Sequence, residues 1–208
     1  MITLYTWGTP NGHKASIMLE EIGALFRVVP INIGKGDQFT PEFLALNPNH
    51  KIPVLVDTDG PDGKPITLIE SGAILIYLSG KSGGRFLPAD ARGKYEALQW
   101  LMFQMGSVGP MLGQAHVFLR AKTTVPIAIA RYVSETRRIY GVLETRLSNR
   151  PYLAGDEYSI ADIATWPWIY RHAMHQVDLQ DFPLIKAWYD KIIERPAVQR
   201  GIKLPKQA

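Results

Sequence analysis

The feature that most constrains the fold of this chain is a change of pattern close to residue 80. Before that point, short runs rich in β-branched residues alternate with helical spacings of apolar residues, in the order β-α-β-α-β-β-α. After it, apolar residues recur only at helical spacings. The sequence therefore predicts an α/β domain over residues 1–80, a Gly- and Pro-containing linker over 81–92 and an all-helical domain over 93–208.

The individual elements follow from the apolar spacing and from the residues that interrupt it. The predicted strands cover residues 2–6, 26–33, 52–57 and 66–69, and Pro30 favours an early end to the second. The predicted helices of the first domain cover residues 15–22 and 41–46 and begin again at Ser71. Those of the second domain cover 95–121 with a break near Gly106, begin at Pro126 and Ser159, and cover 184–194.

The chain has 208 residues and no cysteine. A chain of this length can bury roughly 70% of its unfolded surface, so a hydrophobic core can form without cross-links. The missing cysteine excludes a disulfide framework, a cysteine-ligated zinc or iron–sulfur centre, a Cys-x-x-Cys redox pair and a protein thiol nucleophile. Any thiol chemistry must therefore use the sulfur of a ligand.

The net charge of +4 does not indicate a nucleic-acid partner, because such proteins concentrate their basic residues in a stripe. Here the densest basic cluster, Arg131, Arg137-Arg138 and Arg146, is interleaved with glutamates, as on a solvated helix face or a subunit interface. No apolar run reaches 18 residues, and the first six residues lack the basic and apolar regions of a signal peptide. We therefore expect no membrane span and a cytoplasmic protein.

Four short motifs follow one another along the chain: TPNGHK at 9–14, NHKIP at 49–53, ES at 70–71 and SIAD at 159–162. With the surrounding segments FLALNPNHKIPVLVD, ITLIESGAILIYL and YSIADIATWPW, they resemble cytosolic glutathione transferases over nearly the whole chain. Within that family the pattern is most similar to the bacterial Nu class. The resemblance implies a thioredoxin-like N-terminal domain, an all-α C-terminal domain, glutathione as co-substrate and disulfide-bond reductase activity.

The motif at 9–14 is where the resemblance places activation of the glutathione thiol. The thiolate is the reactive form, and a donor beside the sulfur together with a helix amino terminus would stabilise it. Thr9 and Asn11 are therefore the candidate catalytic residues, with turn and cap roles as the alternative. Tyr5 lies inside the first predicted strand, four residues before Thr9, and is predicted to be structural.

The other two motifs of the first domain are expected to hold the glutathione peptide. A cis Ile52-Pro53 bond, as the resemblance implies, would present the N–H and C=O of Ile52 to the cysteinyl backbone like an added strand. Ser71 can cap its helix and also bind the γ-glutamyl carboxylate at the helix amino terminus. Glu70 can accept a hydrogen bond from the α-amino group of the ligand.

Three further contacts depend on the resemblance more heavily. Lys51, with His50 as a weaker candidate, could pair with the glycyl carboxylate of glutathione. Gln38, in a GKGDQF segment similar to the class pattern, is expected to contact glutathione. Arg131 is expected to reach the glutathione of the neighbouring subunit in a homodimer.

The second domain offers fewer signals for chemistry. The pair Ser159 and Asp162 has the spacing of a capping box, which indicates folding stability and not catalysis. His116, His172 and His175 lack the spacing of a metal site, so we expect no metal. Candidate lining residues for the pocket of the second substrate are Trp100, Phe103, Met111 and Tyr170.

The function predicted from the sequence is that of a glutathione-dependent transferase or disulfide reductase. Its thiolate would attack a disulfide, a peroxide or a small electrophile, and reduction would involve two glutathiones or one glutathione disulfide in a site. Two alternatives stay open: a non-catalytic binding module of the same fold, and a dehalogenase or isomerase, because pocket shape selects the substrate.

Overall fold

A computed structural model describes residues 1–205, which form two compact units. The first unit contains residues 1–85 together with the described residues from Arg195 onward, and the second runs from Phe86 to Glu194. The first is α/β and the second is helical, so the predicted fold class is confirmed. The C-terminal segment differs from the sequence assignment, which placed all of 93–208 in the helical domain.

The α/β unit is built on a four-stranded sheet of β1 (Ile2–Thr6), β2 (Phe26–Pro30), β3 (Val54–Asp57) and β4 (Ile66–Leu68). The order is β2-β1-β3-β4, with β1 parallel to β2 and the other two pairs antiparallel. All four strands were predicted. β2 ends at Pro30, as expected of an edge strand, and β3 begins after Pro53, which has no N–H to donate to a neighbour.

Three helices of this unit pack around the sheet: α1 (Pro10–Ile22), α2 (Pro41–Leu46) and α3 (Ser71–Lys81). Eight consecutive residues of α1, from Gly12 to Leu19, are buried, and α1 packs against both β1 and α3. α3 buries Ile74, Leu75 and Leu78 at the spacing that predicted it. The unit therefore buries α1 on nearly all sides.

The helical unit contains α4 (Ala91–Phe103), α5 (Gly109–Leu119), α6 (Pro126–Arg146), α7 (Ile160–Ile169) and α8 (Pro183–Ile193). The break predicted near Gly106 is a π-helical turn, Gln104–Val108, between α4 and α5. Every residue of α7 is buried, so this helix forms the centre of the unit. Among the described residues, no helix has the length and apolar character needed to cross a bilayer.

A further helix, α9 (Pro196–Gly201), was not predicted and belongs to the α/β unit. It packs against α1, where Ser16 Oγ donates a hydrogen bond to the carbonyl of Gly201 at 2.8 Å. Arg195, just before α9, forms two hydrogen bonds to the carboxylate of Glu21 at 2.6 and 2.9 Å. Sequence spacing could not reveal α9, because six residues are too few to show a helical period.

Candidate functional site

Three of the motif-bearing segments lie at one end of the sheet. Tyr5 of β1 pairs with Val54 of β3, and Leu55 of β3 pairs with Leu68 of β4. Because β3 runs antiparallel to both neighbours, its first residue lies beside the last residues of β1 and β4. The segments that follow β1, precede β3 and follow β4 therefore meet at the same edge.

The turn after β1 is shaped by Thr9 and Gly12. Thr9 is the N-cap of α1, and its Oγ accepts a hydrogen bond from the N–H of Gly12 at 3.2 Å. A Cβ on Gly12 would lie 2.2 Å from the carbonyl oxygen of Trp7 and 2.4 Å from Oγ1 of Thr6. Only glycine fits there, which is a site-shaping role that the sequence analysis did not identify.

Capping does not exhaust the hydrogen bonds of Thr9. A hydroxyl accepts through its oxygen and can still donate its own proton to a second group. Asn11 lies in the first turn of α1. This turn contains no acidic residue whose charge would cancel the positive potential of the helix amino terminus. The turn can therefore offer donors and a positive potential to a sulfur anion.

The β4–α3 junction has an unusual backbone. Glu70 has φ 67° and ψ 111°, a left-handed conformation that is rare for residues other than glycine and is found at functional sites. Its side chain is exposed, whereas Ser71 is 5% exposed. Ser71 is the first residue of α3 and Glu70 is its N-cap, so the expectation that Ser71 caps the helix is wrong by one position.

Lys14 is a site residue that sequence reasoning missed. It is 1% exposed, and its Nζ donates a hydrogen bond to Ser71 Oγ at 3.1 Å, which links the start of α1 to the start of α3. Burial lowers the pKa of Lys14 to about 7, and the negative charge of Glu70 acts in the opposite direction. A signal was present, because Lys14 precedes Met18 by four residues and so shares the apolar face of α1.

The segment before β3 presents main-chain groups. The Ile52-Pro53 peptide bond is cis, as the resemblance implied. No hydrogen bond among the described residues engages the main chain of Ile52. Asn47 anchors the loop by donating from Nδ2 to the carbonyl of Lys51 at 2.7 Å. The bond from Asn47 therefore fixes the loop, and the N–H and C=O of Ile52 can pair with a peptide-like ligand.

Of the side chains near the cis bond, Lys51 is exposed, whereas those of His50 and Tyr5 pack against other residues. His50 has φ 46°, and its ring centroid lies 5.2 Å from that of Phe39. Tyr5 packs against the core cluster around Ile31, in agreement with its predicted structural role.

Gln38 lies in a 3-10 turn, Asp37–Phe39, that follows β2. Its Nε2 donates to the carbonyl of Ile33 at 3.3 Å. Its Oε1 is buried and has no hydrogen-bond partner within the described part of the chain. The side chain therefore keeps an acceptor for an external donor.

Arg131 lies in the second turn of α6, within the helical unit, and its side chain is exposed. It lines a surface cavity of about 500 Å³ together with Met111 and Tyr132. It makes no ion pair or hydrogen bond with the residues that the structure describes, and its charge contributes to lowering the pKa of Glu135.

The residues predicted to line the second-substrate pocket, Trp100, Phe103, Met111 and Tyr170, lie in the helical unit. Trp100 packs edge-on against Phe103 and lines a different cavity, of about 640 Å³, from the one that Met111 lines. Tyr170 stacks on Trp166, with ring centroids 5.1 Å apart. Trp100 and Met111 therefore line separate cavities.

The histidines of the helical unit include one close pair. The rings of His116 and His175 are 6.1 Å apart, and burial lowers the pKa of both. Among residues 1–205, no group of three or more His, Cys, Asp or Glu side chains could hold a metal ion.

The motif at 159–162 has the predicted structural role. Ser159 caps α7, and Asp162 completes the capping box. The Asp162 carboxylate, fully buried, accepts from the N–H of Ser159 at 3.0 Å, from the N–H of Leu153 at 2.9 Å and from Nε1 of Trp188 at 2.8 Å. It joins three segments of the helical unit.

Comparison with known proteins matches both halves of the chain to family models. The model for the glutathione S-transferase N-terminal domain matches residues 1–80, and that for the C-terminal domain matches residues 116–196. The chain is 48% identical over 204 residues to the disulfide-bond oxidoreductase YfcG of Escherichia coli, covering 97% of this chain and 94% of that protein.

Solved structures match over 98% of this chain or more. A glutathione transferase from Burkholderia graminis, with two glutathione molecules bound per subunit, is 47% identical with a TM-score of 0.93, covering 100% of this chain and 89% of that one. A glutathione transferase from Pseudomonas putida, with one glutathione disulfide bound per subunit, is 44% identical with a TM-score of 0.92, covering 98% of this chain and 91% of that one.

Proposed function

The chain belongs to the glutathione S-transferase family, and from this premise we propose that it reduces disulfide bonds with the thiolate of bound glutathione. It is a glutathione-dependent enzyme. The observation that carries the proposal is the meeting, at one edge of the sheet, of two helix amino termini with the main chain of Ile52, which no described residue hydrogen-bonds. Such an edge suits a short anionic peptide.

Each part of glutathione has a complementary group at this edge. The γ-glutamyl carboxylate binds at the start of α3 through Ser71, and the α-amino group donates to Glu70. The cysteinyl backbone pairs with the N–H and C=O of Ile52, beside Pro53. The glycyl carboxylate faces Lys51, and the buried Oε1 of Gln38 accepts from an N–H of the ligand.

The sulfur lies at the turn that begins α1. Thr9 donates its hydroxyl proton to the thiolate while its oxygen keeps the cap to Gly12. Asn11 supplies a second donor from its side-chain amide. Together with the positive end of α1, these donors stabilise the thiolate in which the reaction begins.

The reduction proceeds by two thiol–disulfide exchanges. The first glutathione thiolate attacks one sulfur of the substrate disulfide, forms a mixed disulfide and displaces the other sulfur as a thiolate. A second glutathione thiolate then attacks the glutathione sulfur of the mixed disulfide, releasing the second substrate thiolate and glutathione disulfide. The two glutathione protons end on the substrate thiols. No covalent intermediate with the enzyme forms, because the chain has no cysteine.

The capacity for two glutathiones, or for glutathione disulfide, is part of the proposal. The relatives from Burkholderia graminis and Pseudomonas putida, crystallised with these ligands, support it. We also propose a homodimer in which Arg131 reaches the partner subunit's glutathione, supported by the exposure of that side chain. A cytoplasmic location fits a reaction that consumes reduced glutathione, which the cytosol maintains.

The test compares two activities of the same purified protein. With glutathione, we expect faster reduction of 2-hydroxyethyl disulfide than conjugation of 1-chloro-2,4-dinitrobenzene, both measured as kcat/KM. Conjugation without reduction would contradict the reductase proposal. Calorimetric titration with glutathione is the accompanying control, and absence of binding at millimolar concentration would favour a non-catalytic module.

A further inference from the structure

The first turn of α1 contains the only Asn-Gly pair in the sequence, Asn11-Gly12. Asparagine deamidates spontaneously, and it does so fastest before glycine, because glycine has no side chain to hinder attack by its own backbone nitrogen. A larger residue follows each of the other four asparagines, which are Asn32, Asn47, Asn49 and Asn149. Asn11 is therefore the asparagine that the sequence makes most labile.

The fold requires the glycine of this pair. A Cβ at Gly12 would lie 2.2 Å from the carbonyl oxygen of Trp7 and 2.4 Å from Oγ1 of Thr6, and the first of these atoms belongs to the backbone. A larger residue that would slow deamidation cannot be placed there. The amide of Asn11 is in turn needed by the proposed function, in which it donates to the thiolate. The turn therefore keeps both members of a labile pair.

Deamidation of Asn11 consumes only water. The backbone nitrogen of Gly12 attacks Cγ of Asn11 and forms a C–N bond, and the side-chain nitrogen leaves as ammonia with the proton that Gly12 gives up. Water then opens the cyclic imide at one of its two carbonyl groups. The product is an aspartate or an isoaspartate at position 11, and either one brings a new negative charge to the turn.

The local structure of the turn opposes this reaction in two ways. Ring closure requires the backbone of Asn11 to leave the helical conformation that it has in α1. The nitrogen of Gly12 must also lose its proton, and that N–H donates a hydrogen bond to Oγ of Thr9 at 3.2 Å. The Thr9 cap therefore has to open before the nitrogen can attack, and the rate follows this local opening.

We propose that Asn11 is a site of spontaneous deamidation, that the Thr9 cap slows the reaction, and that the product stops activation of the glutathione thiol. The effect on activity rests on the proposed function. A carboxylate in the first turn of α1 cancels part of the positive potential of the helix terminus, and its like charge raises the pKa of the bound thiol. The thiolate fraction then falls, and reduction falls with it.

The experiment follows peptide masses while the full chain is incubated in mildly alkaline buffer, where the attacking nitrogen loses its proton more readily. In the unmodified protein we expect slow conversion of the amide to a carboxylate at Asn11. Asn149, which is exposed and precedes Arg150, is the internal reference and should stay unchanged. Asn11→Asp reproduces the charge of the product and should lower kcat for disulfide reduction by at least about tenfold, as for loss of a hydrogen bond to a charged group.

Three variants isolate the contribution of the cap. Thr9→Ala should deamidate at Asn11 roughly 2- to 30-fold faster than the unmodified protein, the factor by which loss of an N-cap shifts an opening equilibrium. Thr9→Ser keeps the cap and should deamidate at the rate of the unmodified protein. Asp90→Ala removes the cap of α4 in the helical unit and is the matched control for general destabilisation, so it should not accelerate the reaction at Asn11.

The possible results separate the modification from the proposed function. Absence of deamidation at Asn11 in Thr9→Ala would overturn the site, and equal acceleration in Asp90→Ala would overturn the role of the cap. Full reductase activity in Asn11→Asp would overturn the effect on the thiol. Absence of reductase activity in the fresh unmodified protein would contradict the proposed function, whereas the site is measured by mass.

A second comparison decides if Thr9→Ala does not fold. The unmodified protein is then incubated in native buffer and in urea, which removes both α1 and its cap. We expect faster deamidation at Asn11 in urea, and equal rates in the two solutions would overturn the protection by the turn.

Discussion

At Thr9, one hydroxyl group has two tasks that use different parts of it. The oxygen accepts from the N–H of Gly12, one of the groups at the start of α1 that have no partner within the helix. The proton is left for the glutathione sulfur in the proposed reaction. The turn and cap role and the catalytic role, which the sequence presented as alternatives, are therefore compatible.

Replacing Thr9 separates these tasks. We expect Thr9→Ala to lower kcat for disulfide reduction by roughly 10- to 100-fold, the effect of removing one hydrogen bond to a charged group. The dissociation constant of glutathione should change much less, because the peptide is held at Ile52 and Ser71. Steady-state kinetics and calorimetry measure the two quantities.

Thr9→Ser is the matched control, since serine keeps both the cap and the hydroxyl proton. It should retain most of the turnover and the stability. Equal turnover in Thr9→Ala and the unmodified protein would remove Thr9 from the thiol role.

At the scale of elements, the polar residues that cap the helices differ in how deeply they are buried. Asp90 caps α4 by accepting from the N–H of Gly93 at 2.8 Å in an exposed place. Asp162 is fully buried and serves α7, the segment near Leu153 and α8 together. Burial raises the pKa of Asp162, and its hydrogen-bond donors oppose that effect. The SIAD motif predicted the cap, but its link to Trp188, 26 residues further along, required the structure.

This difference predicts unequal costs of removal. Asp162→Ala leaves several buried donors without an acceptor and should lower the free energy of unfolding by about 3–5 kcal/mol. Asp90→Ala, the matched control in the same unit, should cost about 1 kcal/mol, as for an ordinary N-cap. Urea unfolding followed by circular dichroism measures both. Similar losses for the two variants would show that Asp162 is only a local cap.

At the scale of the whole molecule, the chain returns to its first unit after the helical unit ends. α9 covers α1 so closely that a Cβ on Gly201 would lie 2.7 Å from the Cα of Ile17. In the same segment, Arg195 forms a salt bridge with Glu21 and Arg200 forms one with Glu20, both at the end of α1. The helix that begins at the proposed thiol site is thus supported by residues from the far end of the chain.

The close approach at Gly201 makes a sharp test. Gly201→Ala should lower the free energy of unfolding by about 1–3 kcal/mol, because the methyl group meets backbone that cannot move aside. Gly80→Ala, in α3 of the same unit, meets nothing within 4 Å and should be neutral or stabilising. Thermal unfolding of both variants supplies the comparison, and equal midpoints would contradict the packing of α9 on α1.

The sequence alone determined the order of strands and helices, the change of class near residue 80 and the motifs of the site, because apolar periodicity and turn chemistry report on residues close together in the chain. The sequence also limits the mechanism, because a chain without cysteine must use the sulfur of a ligand for thiol chemistry. Tertiary structure decided the burial of Lys14 against Ser71, the need for glycine at Gly12 and the return of α9 to α1. These three features depend on contacts between segments that are far apart in sequence. Such contacts are set by the packing of the whole unit, which a local sequence pattern does not record.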